Sequence, residues 1–239
     1  TTISKNLQFN NRVSGYIQNT FSLQGNKAEY YLTTGLRAHY WSLNNQVVFS
    51  PRAVLTIIPY WVQRVSFHAA TGYYYQPPFY KELRDPDGKL HMDIKAQKSI
   101  HYLVGGQYDF NLWERPFVFS TEMFYKHLWN LIPYKVDDVD IQYLPQYTAR
   151  GYVAGIEFKI NGEFVKDAES WASLSIMQTK EDIYKDYFLL EDRTVVWPGY
   201  YRRPTDQVIN FGLFFQDYFP NNPDYKVHLS LSYASRIPY

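Results

Sequence analysis

Apolar and polar residues alternate with a period of two along most of the chain. Over 28–43, Tyr30, Leu32, Leu36, Ala38 and Tyr40 share one parity, and Glu29, Thr33, Arg37 and His39 the other. Over 62–76, Val65, Phe67, Ala69, Thr71, Tyr73 and Tyr75 oppose Arg64, Ser66, His68, Gly72 and Gln76. Over 96–112, Ile100, Tyr102, Val104, Tyr108, Phe110 and Leu112 oppose Gln97, Ser99, His101, Gln107, Asp109 and Asn111. The clearest run is 225–237, where Tyr225, Val227, Leu229, Leu231, Tyr233 and Ile237 oppose Lys226, His228, Ser230, Ser232 and Arg236. Successive residues of a strand point to opposite sides, so each run predicts a strand with one apolar and one polar face. Weaker runs at 12–24, 46–58, 116–130, 144–161, 170–183 and 206–219 bring the expectation to about ten strands. No stretch keeps a 3.6-residue period, so helix is expected to be scarce.

Several of these runs are roughly 12 to 16 residues long, whereas strands of globular proteins usually have about 5 or 6. A tilted strand crosses a bilayer with about 9 to 11 residues. The connections also alternate. Short ones fall at Gly25-Asn26-Lys27, Ile58-Pro59-Tyr60, Trp113-Glu114-Arg115-Pro116, Gly162 to Glu169, and Pro220-Asn221-Asn222-Pro223-Asp224. Long ones fall at 77–95, 131–143 and 184–205, and the tight join at Asn44-Asn45 breaks the alternation. Short turns at one end and long loops at the other are the arrangement of outer-membrane barrels. Aromatic residues cluster near the connections, at Tyr40-Trp41, Tyr60-Trp61, Tyr73-Tyr74-Tyr75, Tyr125 with Trp129, Trp171, and Tyr218-Phe219. Rings with one apolar and one polar end favour the bilayer interface. The competing reading is a soluble β-sandwich, whose strands also alternate but are shorter.

Composition narrows the classes further. The chain has 239 residues, 24 tyrosines, 16 phenylalanines, 6 tryptophans and no cysteine. The aromatic content excludes intrinsic disorder, and the missing cysteine excludes a disulfide scaffold and a thiolate site. A net charge of +1 speaks against a nucleic-acid partner held by phosphate attraction. No run of about 18 apolar residues is present, so no membrane-spanning helix is expected.

Candidate chemistry is sparse. His39, His68, His101 and His228 fall on polar strand faces, His91 lies in a long loop, and His127 is near Trp129. None pairs at ligand spacing, so no metal or cofactor is expected. The charged loop of Glu82, Arg84, Asp85, Asp87 and Asp93 around Pro86-Asp87-Gly88 lacks the calcium-loop spacing. It reads as a solvated turn, as does Asp137-Asp138-Val139-Asp140. No nucleophile, metalloprotease or phosphate-loop motif occurs. Glu181-Asp182 and Glu191-Asp192 are adjacent pairs that would diverge on a strand, so no enzyme is expected. The ligand-binding candidates are aromatic and cationic loop residues: Phe79, Tyr80 and Arg84 in one loop, and Tyr187, Phe188, Trp197, Tyr200, Tyr201 and Arg202, with Arg203, in another. Aromatic anchors with a polar rim line many recognition sites, although the same rings can also pack loop against loop.

One block is more specific. Tyr73-Tyr74-Tyr75-Gln76-Pro77-Pro78-Phe79-Tyr80-Lys81-Glu82-Leu83 is followed by Asp93-Ile94-Lys95-Ala96-Gln97-Lys98-Ser99. This resembles the barrel of TonB-dependent outer-membrane receptors, in which an aromatic-Pro-Pro loop precedes a strand opened by a Leu-Lys-Pro-Glu type segment. Gln97 stands where that family often has Glu, and Lys95-Ala96-Gln97-Lys98-Ser99 is similar to the Bacteroidetes type. Phe124-Tyr125-Lys126 with Asn130-Leu131-Ile132-Pro133-Tyr134 and Ala149-Arg150-Gly151-Tyr152-Val153-Ala154-Gly155-Ile156-Glu157 resemble two further family signatures, in the family's order.

The resemblance implies an all-β protein: an antiparallel transmembrane β-barrel of about 22 strands around an N-terminal plug. It implies import of a scarce nutrient (siderophore, oligosaccharide, peptide or cobalamin) across the outer membrane of a Gram-negative bacterium. Residues 1–239 would then be one fragment of that barrel, with the plug and the final strands outside it. The expected partners are outer-membrane lipid, the receptor's own plug, the TonB complex and a surface lipoprotein. The alternatives are a passive porin, an adhesin or a secretion-machinery barrel, and less readily a soluble carbohydrate-binding β-sandwich.

Overall fold

The computed structural model describes residues 10–137, 140–190, 192–219 and 222–236. Asp138, Val139, Glu191, Pro220, Asn221 and Ile237, named above, lie outside them. Ten long strands run in the order β1 (Arg12–Gln24), β2 (Ala28–Trp41), β3 (Gln46–Pro59), β4 (Arg64–Gln76), β5 (Gln97–Leu112), β6 (Arg115–Leu131), β9 (Ala149–Val165), β10 (Ala168–Ile183), β14 (Ile209–Phe219) and β15 (Asn222–Ala234). Each pairs antiparallel with its neighbour in one continuous sheet. The sheet does not close on itself, and β1 and β15 are its two edges. Five shorter strands lie in the long connections: β7 (Tyr134–Asp137), β8 (Asp140–Tyr143), β11 (Phe188–Leu189), β12 (Val195–Val196) and β13 (Tyr201–Arg202). The one helix among the described residues is a single 3₁₀ turn at Tyr80–Leu83.

Strand lengths of 11 to 17 residues match the long periodic runs. Several boundaries move: Asn222-Pro223-Asp224, expected in a connection, lie in β15, and three other shifts have a local reason. The run expected from 144 begins at Ala149, because the Leu144 amide donates to the Pro133 carbonyl and closes the base of the β7–β8 hairpin instead. The run expected from 206 begins at Ile209, because Asp206 turns inward to accept from the Thr179 amide at 2.7 Å. The turn expected over Gly162 to Glu169 shrinks to Lys166-Asp167, and Gly162 stays in the ladder opposite Phe117. A Cβ on Gly162 would stand 2.5 Å from the Phe117 ring, so the pairing depends on the missing side chain.

The register assigns every strand residue to one of two faces. Phe21, Leu32, Leu55, Ala69, Val104, Met123, Ile156, Ile176 and Ile209 are successive cross-strand partners from β1 to β14. They form an unbroken apolar row. One residue further along, Ser22, Tyr31, Thr56, His68, Gly105, Glu122, Glu157, Ser175 and Asn210 are partners in the same way on the other face. The apolar face has no second layer among the described residues: Val104 and Met123, both mid-sheet, are each 62% exposed. A soluble sandwich buries such a face against a second sheet.

The connections sort by pole. Gly25–Lys27, Tyr60–Gln63, Trp113-Glu114 and Lys166-Asp167 close one end. Trp113 and Glu114 both have positive φ, 52° and 60°, the backbone of a tight two-residue hairpin turn. Residues 77–96, 132–148 and 184–208 all emerge at the other end, with the short join at 42–45.

Candidate functional site at the long-loop pole

The three long connections are anchored to the strand ends below them. In 77–96, Pro78 is buried, and its carbonyl accepts from Arg12 at 3.0 Å. The Glu82 carboxylate accepts from the Phe79 amide at 2.8 Å and closes the 3₁₀ turn, while Leu83 is fully buried. Arg84 bridges through its backbone to Leu90, around a turn in which Gly88 has a φ of 85°. His91 Nε2 meets Asp85 Oδ2 at 2.9 Å, and the Lys89 amide donates to Asp85 Oδ1. The His91 hydrogen bond, aided by the Lys89 and Asp87 amides, holds the Asp85 carboxyl below the usual carboxylate range. Asn44 donates to the Ile94 carbonyl, the Ala96 amide to Gln46, and Asn130 to the Ala96 carbonyl, so this loop is tied both to the β2–β3 join and to the end of β6.

The β7–β8 hairpin of 132–148 lies between the other two loops. Lys81 Nζ stands 5.6 Å from the Tyr143 ring on one side. On the other, the Tyr134 hydroxyl meets the Thr205 hydroxyl at 2.9 Å, and the Arg203 guanidinium lies 5.2 Å from the Tyr134 ring. Within 184–208, β13 adds onto β10, with Tyr201 opposite Glu181 and Arg202 opposite Lys180. The two arginines therefore diverge. Arg203 Nε stands 3.0 Å from Glu181 Oε2, an ion pair without hydrogen-bond alignment. Arg202 Nε donates to the buried Asp206 at 2.7 Å. Burial, then the nearby Glu181, Asp186 and Asp182 carboxylates, push the Tyr201 hydroxyl pKa upward.

The sequence candidates thus fall into separate groups. Phe79 and Tyr80 are about half exposed, near the Lys81–Tyr143 contact. Tyr187 and Trp197 pack against each other at 5.3 Å between ring centroids, and both remain more than half exposed. The Phe188 backbone pairs with Val196, and its side chain lies outside the described features. Tyr200 packs on Tyr152 and Arg150, at the rim of the apolar face. No direct contact joins the Phe79 group to the Tyr187 group among the described residues; the β7–β8 hairpin links their loops. Tyr143 and Thr205 were not among the sequence candidates, and Tyr134 entered only through the family resemblance, although the alternation across 134–143 carries the signal of a short hairpin. A cavity of about 430 Å³ opens beside this hairpin, lined by His91, Asp93, Lys95, Asn130, Gln146 and Tyr147 among others.

Deeper on the polar face, His68 Nε2 stands 3.3 Å from Glu122 Oε2, and Glu122 faces Glu157 across the ladder. Ser175 donates to Glu157 at 3.4 Å, and a cavity of about 280 Å³ opens there. No group of three or more His, Asp or Glu placed to hold a metal occurs among the described residues. No helix among them is long and apolar enough to cross a membrane, a statement that does not bear on strands. A scan against protein-family models and searches of curated proteins and of solved structures found no match to this chain.

Proposed function

We propose that this chain is a segment of an outer-membrane transport barrel of the TonB-dependent receptor type, which binds and imports a scarce nutrient. The observation that carries the reading is the apolar face. It runs uninterrupted from Phe21 to Ile209 across long antiparallel strands, is open mid-sheet, and backs onto a face rich in Ser, Thr, His and Glu. Lipid is the environment that such a face fits, and a hydrated or plugged interior suits the other. The free edges of β1 and β15 support closure by further strands, since unpaired backbone groups in hydrocarbon cost several kcal/mol each. The long loops at one pole and the order of the motifs support the receptor type over a passive porin, an adhesin or a secretion barrel. The polar face then meets the plug, and the TonB complex acts through that plug. The exposed Phe79, Tyr80, Tyr187 and Trp197 offer the loop surface for the nutrient or for a covering surface lipoprotein, with Arg84 and Arg202 in the same two loops. The role is binding and passage, with no enzymatic step and no nucleic acid.

The experiment extracts the native polypeptide in detergent from the outer membrane and measures energised nutrient uptake in cells carrying or lacking it. Uptake that requires the protein and stops when the proton gradient is collapsed is the expected result. A detergent-independent soluble protein overturns the membrane reading. A detergent-requiring protein whose uptake ignores the gradient overturns the receptor reading and leaves the porin.

A further inference from the structure

The apolar face is not the same at its two ends. Near the long loops it carries a band of cations set among aromatic rings. Lys98 of β5 places its Nζ 4.9 Å from the Tyr73 ring, 5.0 Å from Trp129 and 5.9 Å from Tyr75. Arg150 of β9 lies 5.8 Å from Tyr184 and 5.5 Å from Tyr200. Lys180 of β10 is the cross-strand partner of Tyr152, which in turn partners His127. Lys98 and Lys180 make no ion pair among the described residues, and Arg150 shares Asp182 as its carboxylate. At the short-turn end of the same face, the cation in the paired strands is Arg115. Its guanidinium donates to the Phe164 carbonyl at 2.7 Å, and its neighbours are Leu112, Trp113 and Phe117.

Lys98 and Lys180 carry ammonium charges that no carboxylate within the described sheet neutralises. Lys98 and Arg150 are separated by β6 alone, about 10 Å at the usual strand spacing. That is a span one phosphorylated headgroup can bridge. Aromatic rings seat at the headgroup level, and lysine stems lie along apolar surface while the ammonium reaches outward. We propose that Lys98, Lys180 and Arg150 form a rim that holds the phosphate of anionic lipids in the leaflet on the long-loop side. The inference rests on the reading of the apolar face as lipid-facing, and it adds an orientation and a headgroup chemistry to it.

The test uses the native polypeptide in mixed micelles with equal amounts of phosphatidylglycerol and phosphatidylcholine. Retained lipid is counted by native mass spectrometry. Phosphatidylglycerol is expected to be retained in preference. Each Lys→Gln change should lower that preference about fivefold, the attraction typical of one basic residue at an anionic surface. Lys98→Gln and Lys180→Gln should therefore both weaken it, Lys98→Arg should keep it, and Arg115→Gln at the opposite end should leave it unchanged. Equal retention of the two lipids, or a preference that survives the double Lys98→Gln, Lys180→Gln change, overturns the rim and leaves the membrane reading standing. A protein that retains neither lipid overturns both.

Discussion

The two faces of this sheet are made by the same strands, one residue out of phase. The row from Phe21 to Ile209 is aliphatic or aromatic except for the sulfur of Met123, whereas the adjacent row from Ser22 to Asn210 holds His68, Glu122 and Glu157. Neither row is buried in the way a globular core is. The large residues that are nearly inaccessible, Trp41, Leu83, Phe117 and Pro78, sit at the ends of the sheet or in the loops packed on it. Stability of the middle of the sheet therefore depends on what each face meets, and the register is what assigns residues to the two surroundings.

The same charge placed on each face should separate the two most strongly. Val104→Arg places a guanidinium mid-sheet on the apolar row, and Ser175→Arg places one beside Glu157 on the polar row. A lipid-facing arginine near the bilayer midplane costs about 2–4 kcal/mol, while lumen substitutions cost little. Denaturant unfolding of the native polypeptide in lipid vesicles should show Val104→Arg destabilised by that amount and Ser175→Arg nearly unchanged. Equal losses would mean that the two faces do not meet different surroundings.

A smaller effect comes from glycines that differ in room rather than in polarity. On the polar face, a Cβ on Gly155 would stand 2.7 Å from both the Met177 Cβ and the Phe124 ring, and 2.9 Å from the Ile176 carbonyl. On the apolar face, a Cβ on Gly15 of the edge strand meets nothing within 4 Å. Gly155→Ala should cost about 1–3 kcal/mol through overpacking. Gly15→Ala should be neutral or stabilise by up to about 1 kcal/mol, because alanine gives up less backbone freedom in a strand. Unfolding midpoints of the two variants in the same vesicles decide the matter, and a larger loss at Gly15 would contradict the β1–β2 edge described above.

Much of this was legible in the residues because alternation is a direct record of two surroundings. The four strongest runs, at 28–43, 62–76, 96–112 and 225–237, carry the same face assignment in the sheet, apart from Arg236, which follows the end of β15, and Ile237, which lies outside the described residues. The short strands of the long connections were not legible. Phe188–Leu189, Val195–Val196 and Tyr201–Arg202 are too brief for any period, and each is set by a partner: β11 and β12 by one another, β13 by the end of β10. The candidate loop residues were found by type, but their grouping was not. Whether Arg202 or Arg203 faces Glu181 depends on one step of register in a two-residue strand. That Tyr134 reaches Thr205 depends on how two loops distant in sequence fold over the strand ends.

The smallest expected effect belongs to neither face and sets a baseline for both. Asp85 and His91 lie in the 77–96 loop, outside the sheet, where neither face's surroundings apply. The hydrogen bond from His91, with the Lys89 and Asp87 amides, lowers the Asp85 pKa in the folded loop. A carboxyl lowered in this way contributes order that is fully present above its unfolded value of about 3.9, and that is lost as pH falls through the lower folded value. The Arg84–Leu90 turn should therefore keep its amide protection from neutral pH down to about pH 4 and loosen only below it. Asp85→Asn should remove that acid step while leaving the unfolding of the sheet unchanged. Hydrogen exchange at the Lys89 and His91 amides as a function of pH reads the step directly, since these amides donate to the Asp85 carboxylate and the Leu83 carbonyl. A midpoint well above pH 4 would show that the Asp85 carboxyl does not control the turn.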